Sequence, residues 1–159
     1  MTRKKYVFLE LLCVAALAAF IVLLCTYRSG GTQKEIGEVA APVAKLAQEA
    51  EMSEKTNADI AKTFGIDAQL AEGMVYYAND NIMDVSEVLL VKLKDTGDAS
   101  AVKALIEQRV ADQKNLYKNY APAQYALLGE CIIEVSGNTV FYCTAKNADA
   151  IYEAYKKAL

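Results

Sequence analysis

Histidine and tryptophan are absent from these 159 residues, and proline occurs only twice, at Pro42 and Pro122. Without histidine the chain lacks the usual general base near neutral pH and the commonest metal ligand. Ser-His-Asp and Cys-His arrangements are excluded outright. No glycine-rich phosphate loop follows a strand-like run, and the one glycine pair, Gly30-Gly31, sits in a polar stretch near the N-terminus. The four cysteines, Cys13, Cys25, Cys131 and Cys143, match no zinc spacing. A serine and a lysine at helical spacing occur once, Ser100-Ala-Val-Lys103, in the first turn of an amphipathic pattern, where a cap or solvated surface is the ordinary role.

Charge is scarce at the N-terminus. Glu10 is the one charged residue from Tyr6 to Tyr27, and Leu11 to Cys25 is apolar throughout. A helix over residues 6–27 would extend roughly 33 Å at about 1.5 Å per residue, enough for a hydrocarbon core of about 30 Å. Arg3, Lys4 and Lys5 precede it, and the positive-inside rule places that end in the cytoplasm and the rest of the chain outside. An uncleaved anchor is the preferred reading. A cleaved signal peptide would need a small-residue cleavage site that does not follow the run. A lipoprotein signal would use Cys25, but Leu23 and Leu24 stand where small residues are expected. All three readings export the remainder.

The expected organisation is a cytoplasmic basic end (1–5), a transmembrane anchor (6–27), a linker (28–34) and an exported domain (35–159). Without residues 1–27 the chain keeps 14 basic and 19 acidic residues, a net charge of −5, which argues against nucleic acid as a partner. The expected partners are the membrane, through residues 6–27, and another protein of the cell envelope.

Apolar periodicity predicts a helix starting near Ala41, with Pro42 in its first turn, and a short second helix over 58–64 that stops at Gly65. Residues 72–78 and 85–94 are strand-like, the latter ending with Leu89, Val91 and Leu93 on one side. A long amphipathic helix follows Asp98 and stops at Pro122. Residues 131–135 and 139–144 flank Gly137-Asn138, a two-residue hairpin pair, and a last helix follows Asn147. The expected fold class is α+β: an antiparallel sheet in the order strand-strand-helix-strand-strand-helix, with the helices packed on one face.

Two constellations stand out. Arg109 and Gln113, four residues apart beside the apolar stripe of the long helix, are placed to form a semi-buried structural cluster with a strand carboxylate such as Glu87. Tyr120-Ala-Pro-Ala-Gln-Tyr125 is a proline-fixed corner bearing two aromatics, which makes Tyr120, Pro122 and Tyr125 the candidate recognition surface. Paired carboxylates among Glu72, Glu87, Glu130 and Glu134 could serve glycoside chemistry, but solvent-facing strand positions explain them as well. The run Asn79-Asp80-Asn81-Ile82-Met83-Asp84 resembles a loose calcium loop without the glycine and terminal glutamate such a loop needs, and a solvated turn is the simpler reading. A two-residue turn pairs residue 132 with 143; a three-residue loop would pair Cys131 with Cys143 and open the way to a disulfide. No catalytic residue, cofactor site or metal site is expected.

The region from Glu35 to Leu159 resembles domain-of-unknown-function family 4358, exported, membrane-anchored or lipoprotein-like proteins of Gram-positive bacteria. The resemblance is carried by Phe64-Gly-Ile-Asp67, Ser86-Glu-Val88, Arg109 with Gln113, Tyr120-Ala-Pro122 and Gly137-Asn138. It implies a shared fold and export, and no activity. The expectation is a non-catalytic binding or scaffolding domain at the cell membrane, single-pass, with the domain outside. The alternative is a small-ligand sensor or accessory subunit of a membrane complex, and an enzyme built on carboxylates and tyrosines has least support.

Overall fold

In a computed structural model the described residues are 13–21 and 34–159. The chain divides into two compact units, Met1–Gly30 and Gly31–Leu159. In the first, residues 13–21 are helical (α1), and their exclusively apolar side chains are exposed. Among the described residues no helix is long and apolar enough to cross a membrane. The rest of the expected anchor, the basic end, Cys25 and residues 28–33 lie outside the described residues.

The second unit is an α+β domain around one five-stranded antiparallel sheet. In chain order it runs α2 (Ile36–Glu49), β1 (Met52–Lys55), α3 (Asn57–Phe64), β2 (Ala71–Asn79), β3 (Glu87–Leu93), α4 (Ala99–Tyr117), α5 (Pro122–Gly129), β4 (Ile132–Ser136), β5 (Thr139–Thr144) and α6 (Ala148–Ala158). The strand order across the sheet is β1-β2-β3-β5-β4, so β3 and β5 lie inside and β1 and β4 form the edges.

The helices cover both faces, which corrects the expectation of one covered face. Ile60 and Phe64 of α3, Val102, Ile106 and Val110 of α4, and Leu128 of α5 pack with Leu89, Val91, Val140 and Tyr142 on one side. Val39, Val43 and Ala47 of α2 and Ile151 and Tyr155 of α6 pack with Val88, Leu90, Phe141 and Cys143 on the other. The physical reason is in β3 and β5 themselves. Val88 to Val91 and Val140 to Cys143 are apolar at every position rather than at alternate ones, so both faces of these strands need cover. The first side is the α4 face of the sheet and the second the α6 face.

Two elements were not foreseen. Met52–Lys55, too short and polar to read as a strand, pairs with β2 from Met52 opposite Asn79 to Lys55 opposite Tyr76. Pro122 does not simply end a helix: α4 stops at Tyr117, and the proline occupies the first turn of α5, where its missing N–H would have no intrahelical partner anyway. The first helix also begins earlier than expected, at Ile36, with Pro42 inside it. Glu38, the acceptor that Pro42 leaves unused, and Pro42 itself are exposed, so water can take the missing donor's place. α3 begins with a reciprocal cap: Asp59 N donates to Thr56 Oγ1 and Thr56 N to Asp59 Oδ2, and Gly65 closes the helix in a left-handed conformation.

The hairpin adopts the two-residue turn, with Ser136 opposite Thr139 and Ile132 opposite Cys143. Cys131 packs on the α4 face and Cys143 on the α6 face, and both are free thiols. Their side chains stand on opposite sides of the sheet, which rules out the cross-strand disulfide.

Candidate functional site

Glu87 opens β3, opposite Ala78 on β2 and Thr144 on β5. The strand alternation that turns Leu89 and Val91 toward α4 also turns Glu87 there, and it is 2% exposed. A buried carboxylate demands partners. Tyr76 and Tyr142 lie on the same face, two residues along from Ala78 and Thr144. Their hydroxyls donate to Oε2 at 2.7 Å and to Oε1 at 2.9 Å. From α4, Arg109 donates through Nε to Oε1 at 3.0 Å and through Nη2 to Oε2 at 2.9 Å. Phe64 of α3 lies under the guanidinium, 5.1 Å from ring centre to Cζ, and meets Tyr76 and Tyr142 edge-on. One carboxylate thus ties together three strands and a helix, and Phe64 adds a second helix.

The electrostatics follow from that burial. Desolvation, then the charge of Glu87 and its hydrogen bond, push the Tyr76 hydroxyl far above the usual tyrosine range, and the same three causes raise Tyr142. Burial works against the Arg109 charge, but the hydrogen bonds and charge of Glu87 outweigh it and hold the guanidinium above its ordinary value. Both Glu87 oxygens are engaged on two sides each. This is the arrangement of a strut, not of a general base with a free lone pair.

Above the cluster, a cleft of about 390 Å³ opens between the β2–β3 loop, α3 and α4, with Arg109 and Gln113 on its floor and Lys55, Asp80 and Ile82 on its walls. A hollow of about 240 Å³ adjoins it across Thr63, Arg109 and Gln113 and reaches Leu116. Gln113 therefore stands beside the pair, with its Oε1 buried and without a hydrogen-bond partner. Asp80 accepts from Ser53 at 2.9 Å and pairs with Lys55.

The calcium-like run is spent on its own backbone. Asn79 Oδ1 accepts from Asn81 N, Asn81 Oδ1 from Met83 N, and Asp84 Oδ1 from Ser86 N, a chain of Asx turns that shapes the loop. Among the described residues no group of three or more acids and cysteines gathers as a metal site. Glu134 sits on the α6 face, accepting from Lys156 at 3.0 Å and from Tyr152, away from Glu87.

The recognition candidates lie at a corner beside the cleft. Tyr120 is 52% exposed in the link between α4 and α5, Pro122 opens α5, and Tyr125 is 40% exposed one turn on. The β2–β3 loop is fastened to the same corner. Buried Tyr117 donates its hydroxyl to the Ile82 carbonyl at 3.0 Å, and Val85 N donates to Gln124 Oε1 at 2.9 Å. These two bonds hold Ile82 in water, 89% exposed, and the Tyr117 ring lies 5.5 Å from that of Tyr120. Ile82 was not foreseen as part of this surface. A lone isoleucine in an Asn/Asp-rich turn was the signal, but its neighbours come from elements far away in sequence.

A family described as "Domain of unknown function (DUF4358)" matches residues 45–145, more than half of the chain. The chain belongs to the DUF4358 family. The matched segment of this DUF4358 protein runs from within α2 to just past β5 and includes Glu87, Arg109, the β2–β3 loop and the aromatic corner. No curated protein and no solved structure matches it.

Proposed function

We propose that this DUF4358 protein is a membrane-anchored extracytoplasmic protein of the cell envelope whose α+β domain is a non-catalytic binding module for another envelope protein. The anchoring half of the reading rests on residues 6–27 and the basic residues before them. The binding half rests on one observation: Ile82, Tyr120 and Tyr125 are exposed on segments that two hydrogen bonds tie together, from Tyr117 to the Ile82 carbonyl and from Val85 N to Gln124. Ordering apolar side chains toward water costs free energy in the isolated domain, and a partner that covers them recovers it.

A small-ligand sensor is the second reading, favoured by the cleft of about 390 Å³ above Arg109. Both of its cations are already paired, Arg109 with Glu87 and Lys55 with Asp80, so the groups left to orient a small ligand are Gln113 and the carboxylates Asp59 and Asp84, which themselves accept hydrogen bonds from Thr56 and Ser86.

The test has two arms. Intact cells are treated with an impermeant amine reagent, and Lys103 and Lys156 are expected to react while the chain sediments with membranes. Membrane neighbours are then co-purified with the wild type and with an Ile82→Ser, Tyr120→Ala, Tyr125→Ala variant. Loss of a specific neighbour supports the reading, and an unchanged set of neighbours refutes the corner as a docking surface.

A further inference from the structure

We propose that β4 is a dimerisation edge, through which two copies of this chain join their sheets antiparallel about Ile133. The proposal stands apart from the aromatic corner and uses none of its residues. Among the described residues β4 ends the sheet and pairs only with β5. Alternate residues of an antiparallel strand turn their N–H and C=O groups away from the one neighbour they have, so β4 offers a row of unpaired groups.

Edges of this kind are ordinarily blunted by lysine, proline, a bulge or shortness. The opposite edge obeys: β1 has four residues and carries Lys55. β4 has five residues, Ile-Ile-Glu-Val-Ser, with neither lysine nor proline; its one charge, Glu134, is engaged by Lys156 and Tyr152 on the α6 face, and the strand pairs with β5 without a register break. Its Val135 is 40% exposed, although two of the other four side chains are isoleucines.

The charges select one register for a second copy. Side chains must keep to their own faces, so a two-fold pairing can centre on Ile132, Ile133, Glu134 or Val135. Centring on Glu134 sets that carboxylate opposite itself. Centring on Ile132 sets Glu130 opposite Glu134 of the second copy, twice over. Like charges directly opposite one another disfavour both. Centring on Val135 runs the pairing into the Gly137 turn and shortens it. Centring on Ile133 pairs 131 with 135, 132 with 134 and 133 with itself, with no like charges opposed.

A two-fold axis perpendicular to the sheet keeps the α6 faces of both copies on one side. Lys34, where the described chain resumes, donates to the Ala158 carbonyl on that face. Residue 34 of both copies is then on the same side of a ten-stranded sheet, an arrangement compatible with two chains anchored in one membrane; this one support rests on the anchoring proposed above.

The register gives a direct test. Cys131 faces Val135 of the second copy, at the roughly 4.5–5.5 Å between Cα atoms of opposed residues, a spacing a disulfide spans. The full chain, solubilised from membranes with Cys13 and Cys25 replaced by alanine, is compared with and without Val135→Cys after mild oxidation. Because Val135 is exposed, the variant should unfold at the same denaturant concentration as its parent. The expected result is a covalent dimer of this chain with Val135→Cys, abolished by adding Cys131→Ser. A monomer, a dimer that persists without Cys131, or a link to a different protein would each overturn the proposal.

Discussion

Arg109 closes on Glu87 as a two-pronged ion pair, Nε to Oε1 at 3.0 Å and Nη2 to Oε2 at 2.9 Å, with the carboxylate buried and a quarter of the arginine side chain reaching the cleft. A pair of this kind contributes little net stability over a well-packed apolar pair of the same size. Breaking it is costly, because the surviving charge is left in a poorly solvating interior.

Arg109→Ala should therefore lower the free energy of unfolding by about 3–5 kcal/mol, read from urea unfolding followed by circular dichroism. Arg109→Lys should recover only part of this, since an ammonium cannot reproduce the planar fork. Glu87→Gln combined with Arg109→Met should be less damaging than Arg109→Ala alone. A double variant as damaged as the single one would show that the buried charge is not the source of the loss.

Tyr76→Phe and Tyr142→Phe each remove one hydroxyl from the same carboxylate. Each should cost about 1–3 kcal/mol. The double variant should depart from the sum of the two, because both donors serve one acceptor. Strict additivity in thermal unfolding would separate them into independent contacts.

The stability profile should fall at both ends of the pH scale. Asp59 is held below the ordinary 3.8 mainly by its hydrogen bonds with Thr56, and Asp80 by those from Lys55 and Ser53. Burial pushes Glu134 up, but hydrogen bonds from Tyr152 and Lys156 outweigh it and leave the carboxyl below 4.5. Lowered folded values mean stability that is present above the unfolded values and lost as the pH falls through the folded ones. Tyr76 and Tyr142 are raised above 10.0 by burial and by Glu87, so their contribution is complete below that value and lost as the pH rises beyond it. Melting temperature should decline below about pH 4.5 and above about pH 10. The Tyr76→Phe, Tyr142→Phe variant should lessen the alkaline decline, the remainder coming from Tyr77, Tyr117, Tyr155 and Cys143, which burial also raises, and should leave the acid limb in place.

Gly73 admits the start of α2 onto the sheet. A Cβ at this position would come within 2.5 Å of Ile36 Cγ2 and 3.4 Å of its Cβ. Gly73 also lies at the irregularity where β2 shifts register against β3. Gly73→Ala should destabilise by about 1–3 kcal/mol through overpacking. A second change, Ile36→Ala, should relieve part of the loss, and chemical unfolding of the four combinations would measure it.

The pair Glu87 and Arg109 was legible in sequence because each residue is anomalous where it stands. One is an acid directly before a run of four apolar strand residues, Val88 to Val91, and the other is an arginine beside an apolar helical stripe. The rest of the cluster was not legible. Tyr76 reaches Glu87 through the register of the β2–β3 pairing, and Tyr142 reaches it only because β5 crosses back to lie beside β3, with β4 sent to the edge. Nothing local to either tyrosine encodes that order. Likewise Tyr120 and Tyr125 could be singled out by the proline between them, whereas Ile82 joins them only through the Tyr117 and Gln124 hydrogen bonds.

By itself the sequence determined the α+β class, the long helix, the presence of a hairpin at Gly137-Asn138 and the lack of histidine chemistry, because propensity, periodicity and turn stereochemistry act over a few residues. Only the tertiary structure decided that helices cover both faces, that Met52–Lys55 is a strand, and that Cys131 and Cys143 are kept apart. Each of those depends on which distant segments meet. A polar four-residue strand gains its pairing only from a neighbour already in place, and a strand apolar on both sides is indistinguishable in sequence from a buried piece of helix until something packs against each side.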